Sequence, residues 1–185
     1  EDGIRVFRRN MQMIFQDPYE SLNPRWTIKD IIKEPLDIHN IGSFSEREDA
    51  VVEILRTVGL TPPENYMSRY PHEISGGQRQ RVSIARTLVM KPKFVVCDEP
   101  TSMLDVSIRI SIMDLMLNLA KELDVSYLYI THDLAVARYM CNRIAVMFNG
   151  KIVEIAETEE LLNNPIHPYT KRLISSLPIP DPSYK

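Results

Sequence analysis

Apolar positions in this chain fall into two patterns: short continuous runs, which predict strands, and helical spacings. Residues 11–15 form a run that Asp17 and Pro18 interrupt, so a strand is expected to end near Gln16. Strands that alternate with helices of ordinary length predict a parallel α/β sheet covered by helices on both faces. The later strands are predicted over residues 94–97, 126–130 and 143–148, with helices over residues 78–90, 106–123 and from Asp133.

A long stretch between the first two strands, residues 24–72, shows helical spacing and no convincing strand. Residues 45–48 carry a serine followed by acidic side chains, which is typical of a helix start, and Gly59 is expected to end that helix. Together with the helix from Gln78, this pattern predicts an inserted helical subdomain. The charged positions of that last helix are expected away from its apolar face: Arg79, Arg81 and Arg86.

Turn residues organise the rest of the chain. Asn149 and Gly150 predict a tight turn into a strand over residues 151–155, and so a hairpin with the strand before the turn. The proline-rich tail from Asn164 predicts a short helix between extended pieces. The expected organisation is a core strand with its following loop (1–23), the helical subdomain (24–90), an α/β core (91–163) and a proline-rich C-terminal extension (164–185).

Composition bounds the class of protein. The chain has 185 residues, of which 44% are apolar, enough for the core of about one domain with an inserted subdomain. Its net charge of −3 disfavours a sequence-independent nucleic-acid binder.

No apolar stretch approaches the roughly 20 residues that span a bilayer. With two cysteines and no leader pattern we expect a cytosolic chain, and its start at Glu1 within a basic stretch suggests a lost upstream segment.

Two glycines open the arginine-bearing helix. Glycine lets the backbone approach a ligand, and a helix N-terminus offers free N–H groups and a positive dipole end, which suits phosphate. For a bare Ser-Gly-Gly, an ordinary glycine turn that caps a helix would be the better explanation. The longer string over residues 74–81 is a far more specific signal than those three residues. The candidate phosphate-binding residues are Ser75, Gly76, Gly77 and Gln78.

Two adjacent carboxylates, Asp98 and Glu99, end the second strand. The carboxyl edge of a parallel sheet usually holds ligands, and neighbouring residues on a strand point apart, so different roles are expected. Asp98 is expected to hold Mg²⁺, directly or through water, and Glu99 to orient and deprotonate an attacking water. His132 follows the next strand and is expected on the same edge, within reach of a γ-phosphate. The alternatives are solvated charges at a strand end and a structural histidine.

The order of these motifs resembles the nucleotide-binding subunits of ABC transporters over nearly the whole chain. The resemblance implies a P-loop NTPase fold that lacks its first part. It makes Gln16 the loop glutamine that senses Mg²⁺ and the γ-phosphate, Asp98 the Walker B acid and Glu99 the catalytic base. The other implied motifs are the signature at residues 75–78, the D-loop at residues 102–105, which ends at Asp105, and the switch histidine His132.

Two longer strings narrow the resemblance to one group of importers within this family. They are residues 15–25 and, in the tail, residues 164–170 with residues 178–182. Both are similar to the oligopeptide, dipeptide and nickel importer ATPases, and of the two ATPase subunits in these importers the second, the F type, fits best. The resemblance implies ATP and Mg²⁺ as cofactors, a second ATPase subunit, membrane permease subunits, and a solute-binding protein indirectly. It also implies a place on the inner face of the cell membrane, held through the permease.

A phosphate loop of the form G-x-x-x-x-G-K-[S/T] does not occur in this chain, since the only Gly-Lys pair, Gly150-Lys151, is followed by Ile152. We expect the chain alone to bind ATP poorly and to hydrolyse it negligibly. Two other functions stay open at this point. One is an ABC-class ATPase outside transport; the other is a truncated module that binds a partner and has lost catalysis.

Overall fold

The computed structural model describes residues 2–176, and the chain divides into two compact units between Ile130 and Thr131. No helix in residues 2–176 is long and apolar enough to cross a membrane. The four segments expected from the sequence, with boundaries at residues 23, 90 and 163, stay predictions.

The first unit contains three parallel strands. They are β1 (Met11–Ile14), β2 (Phe94–Asp98) and β3 (Ser126–Ile130), paired in the order β1-β2-β3. The α/β class and these three strands are as predicted. The helices of this unit are α1 (Asp2–Asn10), α2 (Pro18–Ser21), α3 (Ile28–Ile38), α4 (Phe44–Thr57), α5 (Glu64–Met67), α6 (Gly76–Leu88) and α7 (Val106–Glu122), with a 3-10 turn at Pro71–Glu73.

Only one face of this sheet is buried among the described residues. Ile14 and Cys97, which are paired in register, are fully buried on the face where α6 packs against β1. Met13 and Leu128 point to the other face and are 37% and 51% exposed. The prediction of helices on both faces is therefore wrong for residues 2–176, because the described helices leave this second face in solvent.

The helical block over α3 to α6 buries a core of its own. Its longest helix begins at Phe44, because the Ser43 hydroxyl accepts the Glu46 N–H and the Glu46 carboxylate accepts the Ser43 N–H at 2.6 Å. Ser43 is thus the cap, and the start predicted at residues 45–48 is slightly late. Gly59 ends the helix as predicted, with φ +76°. The block's fully or nearly fully buried apolar residues include Ile28, Ile31, Ile32, Leu36, Val51, Leu55, Val58 and Leu60.

The second unit is built on an antiparallel hairpin. Asn149 and Gly150, both with positive φ, form the predicted turn between β4 (Arg143–Phe148) and β5 (Lys151–Glu157). The prediction that residues 143–148 join the parallel sheet is wrong, since β4 pairs with β5 alone. The helices are α8 (Leu134–Met140), α9 (Thr158–Asn163) and α10 (Pro168–Ser175), and the core comprises Ala137, Ile144, Val146 and Leu161.

A carboxylate on the hairpin attaches the start of the tail. The two oxygens of Glu154 accept the N–H groups of Ile166 and His167, at 2.7 and 3.0 Å. The pKa of Glu154 is lowered, because the neighbouring Thr170 hydroxyl and the Ile166 N–H stabilise the charged carboxylate. The predicted short helix is α10, whereas residues 178–182 lie outside the described residues.

Candidate functional site

Gln16 and Glu99 meet at the carboxyl edge of the parallel sheet. Gln16 follows β1 and Glu99 follows β2, and these two strands pair side by side. The Gln16 side-chain amide donates from Nε2 to Oε2 of Glu99 at 3.2 Å. Two candidate residues that are 83 positions apart in sequence are therefore brought into direct contact by the strand pairing.

The backbone turns sharply at Glu99, which has φ +43°. This left-handed conformation is uncommon for a residue other than glycine, and such residues concentrate at functional sites. Its N–H donates to the Ile130 carbonyl at 3.0 Å, and its carbonyl accepts the N–H and hydroxyl of Ser102 at 3.1 and 3.0 Å. Asp98 is the last residue of β2 and Glu99 lies in the turn that follows it; the different roles expected for the two acids stay a prediction.

The donor set at this edge is oxygen-rich and suits a hard cation. Asp98 offers a half-buried carboxylate, and the amide of Gln16 contacts Glu99 through nitrogen, which leaves its oxygen for another partner. Within residues 2–176 no group of three or more His, Cys, Asp or Glu side chains is placed to enclose a metal ion. The oxygen donors of Asp98 and Gln16 are of the kind that suits Mg²⁺, which keeps several waters and takes substrate phosphate oxygens.

The residues at 75–78 form the start of α6. Ser75 is the N-cap, its hydroxyl accepts the Gln78 N–H at 3.3 Å, and Oε1 of Gln78 accepts the Ser75 N–H at 3.0 Å. The helix begins at Gly76, two residues before the predicted start. Gly76 is partly exposed whereas Gly77 is buried, so the first turn exposes some N–H groups and packs others inward.

Asp105 stands directly before α7 as its N-cap residue. Its carbonyl accepts the Arg109 N–H at 2.8 Å, and its side chain makes no capping hydrogen bond to the helix. The Asp105 side chain is exposed, so the carboxylate is directed to solvent rather than into the helix. Its candidate role is therefore to contact a group outside α7.

A stacked pair that the sequence analysis missed lies beside the candidate site. The Arg79 guanidinium sits over the Tyr19 ring, with 3.9 Å between Cζ and the ring centroid, and its Nε donates to the Pro71 carbonyl. Arg79 is 8% exposed, so the expectation that it lies away from the buried face is wrong. The available signal is the aromatic residue three positions after Gln16, but no local pattern pairs it with an arginine.

His132 belongs to the second unit and is described within it. It is exposed, in the loop ahead of α8, where the Asp133 N–H donates to the Thr131 hydroxyl at 3.0 Å. Asp133 in turn caps α8 by accepting the Ala135 N–H at 2.8 Å. The loop backbone is thus fixed on both sides of His132, and its placement relative to Glu99 stays a prediction.

Two protein families match the sequence. The family described as "ABC transporter" matches residues 1–102, and the family described as "Oligopeptide/dipeptide transporter, C-terminal region" matches residues 153–185. The chain is also 54% identical to the oligopeptide transport ATP-binding protein OppF of Bacillus subtilis over 180 residues, which are 97% of this chain and 58% of that protein. It is 51% identical to the dipeptide transport ATP-binding protein DppF of Lactococcus lactis, over 97% of this chain and 57% of that one.

Solved structures agree with the sequence matches. The cbiO1 protein of Clostridium perfringens, part of the ABC transporter complex cbiONQ, superposes with a TM-score of 0.77 at 28% identity, over 89% of this chain and 63% of that one. The ATP-binding cassette MJ0796, in a dimeric post-hydrolysis state with ADP and Pi, gives 0.71 at 31% identity, over 85% and 67%. The chain thus spans a little under three fifths of the length of the two curated relatives above, and it belongs to the ABC transporter family.

Proposed function

We propose that this chain is part of the ATP-hydrolysing subunit of an importer for peptides or related small solutes, in which hydrolysis drives transport. The names of its relatives support this proposal, since OppF and DppF are ATP-binding proteins of oligopeptide and dipeptide transport. The match over residues 153–185 to a family of oligopeptide and dipeptide transporters favours transport over other uses of an ABC ATPase.

The contact between Gln16 and Glu99 is the observation that carries the catalytic part of this proposal. In the proposed reaction the Glu99 carboxylate takes a proton from water while the water oxygen attacks the γ-phosphorus. The bond from that phosphorus to the bridging oxygen breaks, and the products are ADP and phosphate. The proposed role of Gln16 is to hold the Glu99 carboxylate through this hydrogen bond and to sense Mg²⁺ and the γ-phosphate when nucleotide is bound.

Asp98 and the amide oxygen of Gln16 are the proposed holders of Mg²⁺. This ion would neutralise charge on the phosphate oxygens. Asp98 would supply its carboxylate from the end of β2, and Gln16 its amide oxygen from the loop after β1. A single protein carboxylate with an amide oxygen leaves coordination positions for water and substrate.

The signature residues are proposed to complete a second subunit's ATP rather than this one's own. The start of α6 carries Ser75, which is exposed, Gly76 and Gln78, which are partly exposed, and Gly77, which is buried; Asp105 is exposed before α7. The proposed partners are a second ATPase subunit, identical or different, and membrane permease subunits, with a solute-binding protein engaged indirectly. The subunit would then lie on the cytoplasmic face of the membrane, held by the permease, and no nucleic acid is expected to bind.

The test uses an extended protein, defined as this chain joined to an upstream segment that carries a G-x-x-x-x-G-K-[S/T] loop. By itself this chain, which contains no such loop, is proposed to hydrolyse ATP negligibly. In the extended protein Glu99→Gln should abolish Mg-dependent turnover and retain bound nucleotide, because the amide keeps the shape but takes no proton. Glu122→Gln, at the exposed end of α7, is the matched control. Substantial turnover in Glu99→Gln would remove Glu99 as the base.

His132 offers a second measurement on the same extended protein. Its imidazole is proposed to act on the γ-phosphate and the water, so His132→Ala should lower kcat more than it weakens ATP binding. His167→Ala, in the tail segment, serves as the control. A parallel loss of kcat and of ATP affinity would instead assign His132 a structural role.

A further inference from the structure

The signature turn, residues 75–78, contains two glycines that have different surroundings. A Cβ atom built on Gly77 would lie 2.7 Å from Cγ2 of Ile108, closer than non-bonded carbon atoms approach. A Cβ atom on Gly76 would meet only Cδ2 of Leu104 at 3.9 Å, an ordinary contact. Both glycines have φ outside the left-handed region, so the backbone at both positions accepts alanine. The difference between them is therefore a matter of packing.

Ile108 is a rigid neighbour. It lies in the first turn of α7, and a β-branched side chain in a helix has one strongly preferred χ1 rotamer. Its Cγ2 is attached at the branch point, so rotation about the outer bonds does not move it away. A methyl group on Gly77 would consequently displace α6 or α7 rather than a flexible side-chain end.

A second contact ties the same two helices one turn further along. Nη2 of Arg81 donates to the Ser111 hydroxyl at 2.9 Å, and Nη1 of Arg81 donates to the Val58 carbonyl at 2.6 Å. Arg81 is four residues after Gly77, and Ser111 is three residues after Ile108, so the two contacts lie on the same facing sides of α6 and α7. Two contacts one turn apart leave little freedom for α6 to shift against α7.

We propose that Ile108 is a positioning residue that packs on Gly77 and so fixes the signature turn against α7 and the residue 102–105 segment before it. In this arrangement Gly77 is a glycine because of Ile108, whereas a side chain on Gly76 would make only an ordinary contact with Leu104. The packing stands by itself; its consequence for ATP hydrolysis rests on the function proposed above.

Thermal melting of the 185-residue chain tests the packing without reference to activity. Gly77→Ala should lower Tm by roughly 4 °C or more, although alanine is the better helix former. In a chain that already carries Ile108→Ala, Gly77→Ala should lower Tm by less or not at all, because Cγ2 is absent. In a chain that carries Ile108→Val, Gly77→Ala should lower Tm as much as it does in the unsubstituted chain, because valine keeps the Cγ2 branch. Gly76→Ala is the control and should leave Tm unchanged or higher.

Hydrolysis by the extended protein, in complex with its partner subunit, tests the functional consequence. Gly77→Ala should lower kcat on the order of tenfold, and Ile108→Ala should restore much of it, whereas Ile108→Val should restore none. Absence of hydrolysis in the unsubstituted protein would refute the proposed function and leave the melting result to decide the packing. A Gly77→Ala chain that melts normally, or that Ile108→Ala fails to rescue in melting, would overturn the inference. Rescue of Tm without rescue of kcat would overturn its functional part.

Discussion

The helical block and the three-stranded sheet of the first unit differ in how completely they bury their apolar side chains. In the block, residues such as Ile32 and Leu55 are fully buried by neighbouring helices of the same stretch of chain. In the sheet, Ile14 is buried, but Met13 and Leu128 stand half-exposed on the opposite face. Amphipathic helices that follow one another in sequence can close a core by themselves, whereas a parallel sheet has two faces and needs covering elements on each.

The difference predicts unequal sensitivity to truncation of one apolar side chain. Ile32→Ala should lower the free energy of unfolding by about 2–5 kcal/mol, because a fully buried side chain leaves a cavity. Leu128→Ala should change it by no more than about 0.5 kcal/mol, since that side chain is already half in solvent. Urea denaturation at low protein concentration measures both. Comparable losses would mean that the second sheet face is covered in solution.

Self-association is the second way to test the comparison. An open apolar sheet face tends to pair with another chain, so the apparent mass from light scattering should rise with protein concentration. Leu128→Lys should suppress the rise, because a charge then sits on the apolar face. Ile38→Lys, at an exposed apolar position that ends α3, is the matched control. A chain that stays monomeric with a high Tm would contradict the prediction.

The smallest expected effect concerns pH and the helical block. The pKa of Glu46 is lowered by hydrogen bonds from the Ser43 backbone and side chain. The stability that this carboxylate contributes is therefore present above its unfolded pKa and is lost as pH falls through the lower folded value. Wild type should melt slightly above Glu46→Gln at pH 6, and the difference should shrink progressively as the pH falls below the unfolded pKa of a glutamate. A difference in Tm that does not shrink as the pH falls would show that charge is not its cause.

Local patterns predicted the strands and helices better than they predicted which strands pair with one another. Run length and helical spacing were sufficient for β1, β2, β3 and the major helices, because these signals lie within a few residues of one another. The Asn149-Gly150 turn predicted the hairpin, because a tight turn is a local signal. The pattern did not show that residues 143–148 leave the parallel sheet, since an apolar run looks the same whichever strand pairs with it.

The candidate site divides in the same way. Asp98, Glu99 and Ser75 were recognisable from their places at a strand end and a helix start. The contact of Gln16 with Glu99 depends on the pairing of β1 with β2, and the burial of Arg79 depends on Tyr19, 60 positions earlier in the sequence. The packing of Gly77 on Ile108 was not predictable either, because it is set by the approach of two helices.

The attachment of the tail by Glu154 has a consequence for sequence variation. The carboxylate accepts hydrogen bonds from the main-chain N–H groups of Ile166 and His167, so neither hydrogen bond depends on the side chain at its position. Substitution at 166 or 167 should therefore be tolerated by this contact for every amino acid except proline, which has no N–H. The natural prolines at 165 and 168 flank the two donors and occupy neither position. Related chains can thus vary in these two side chains and still keep both hydrogen bonds to the hairpin, provided that an acid remains on it.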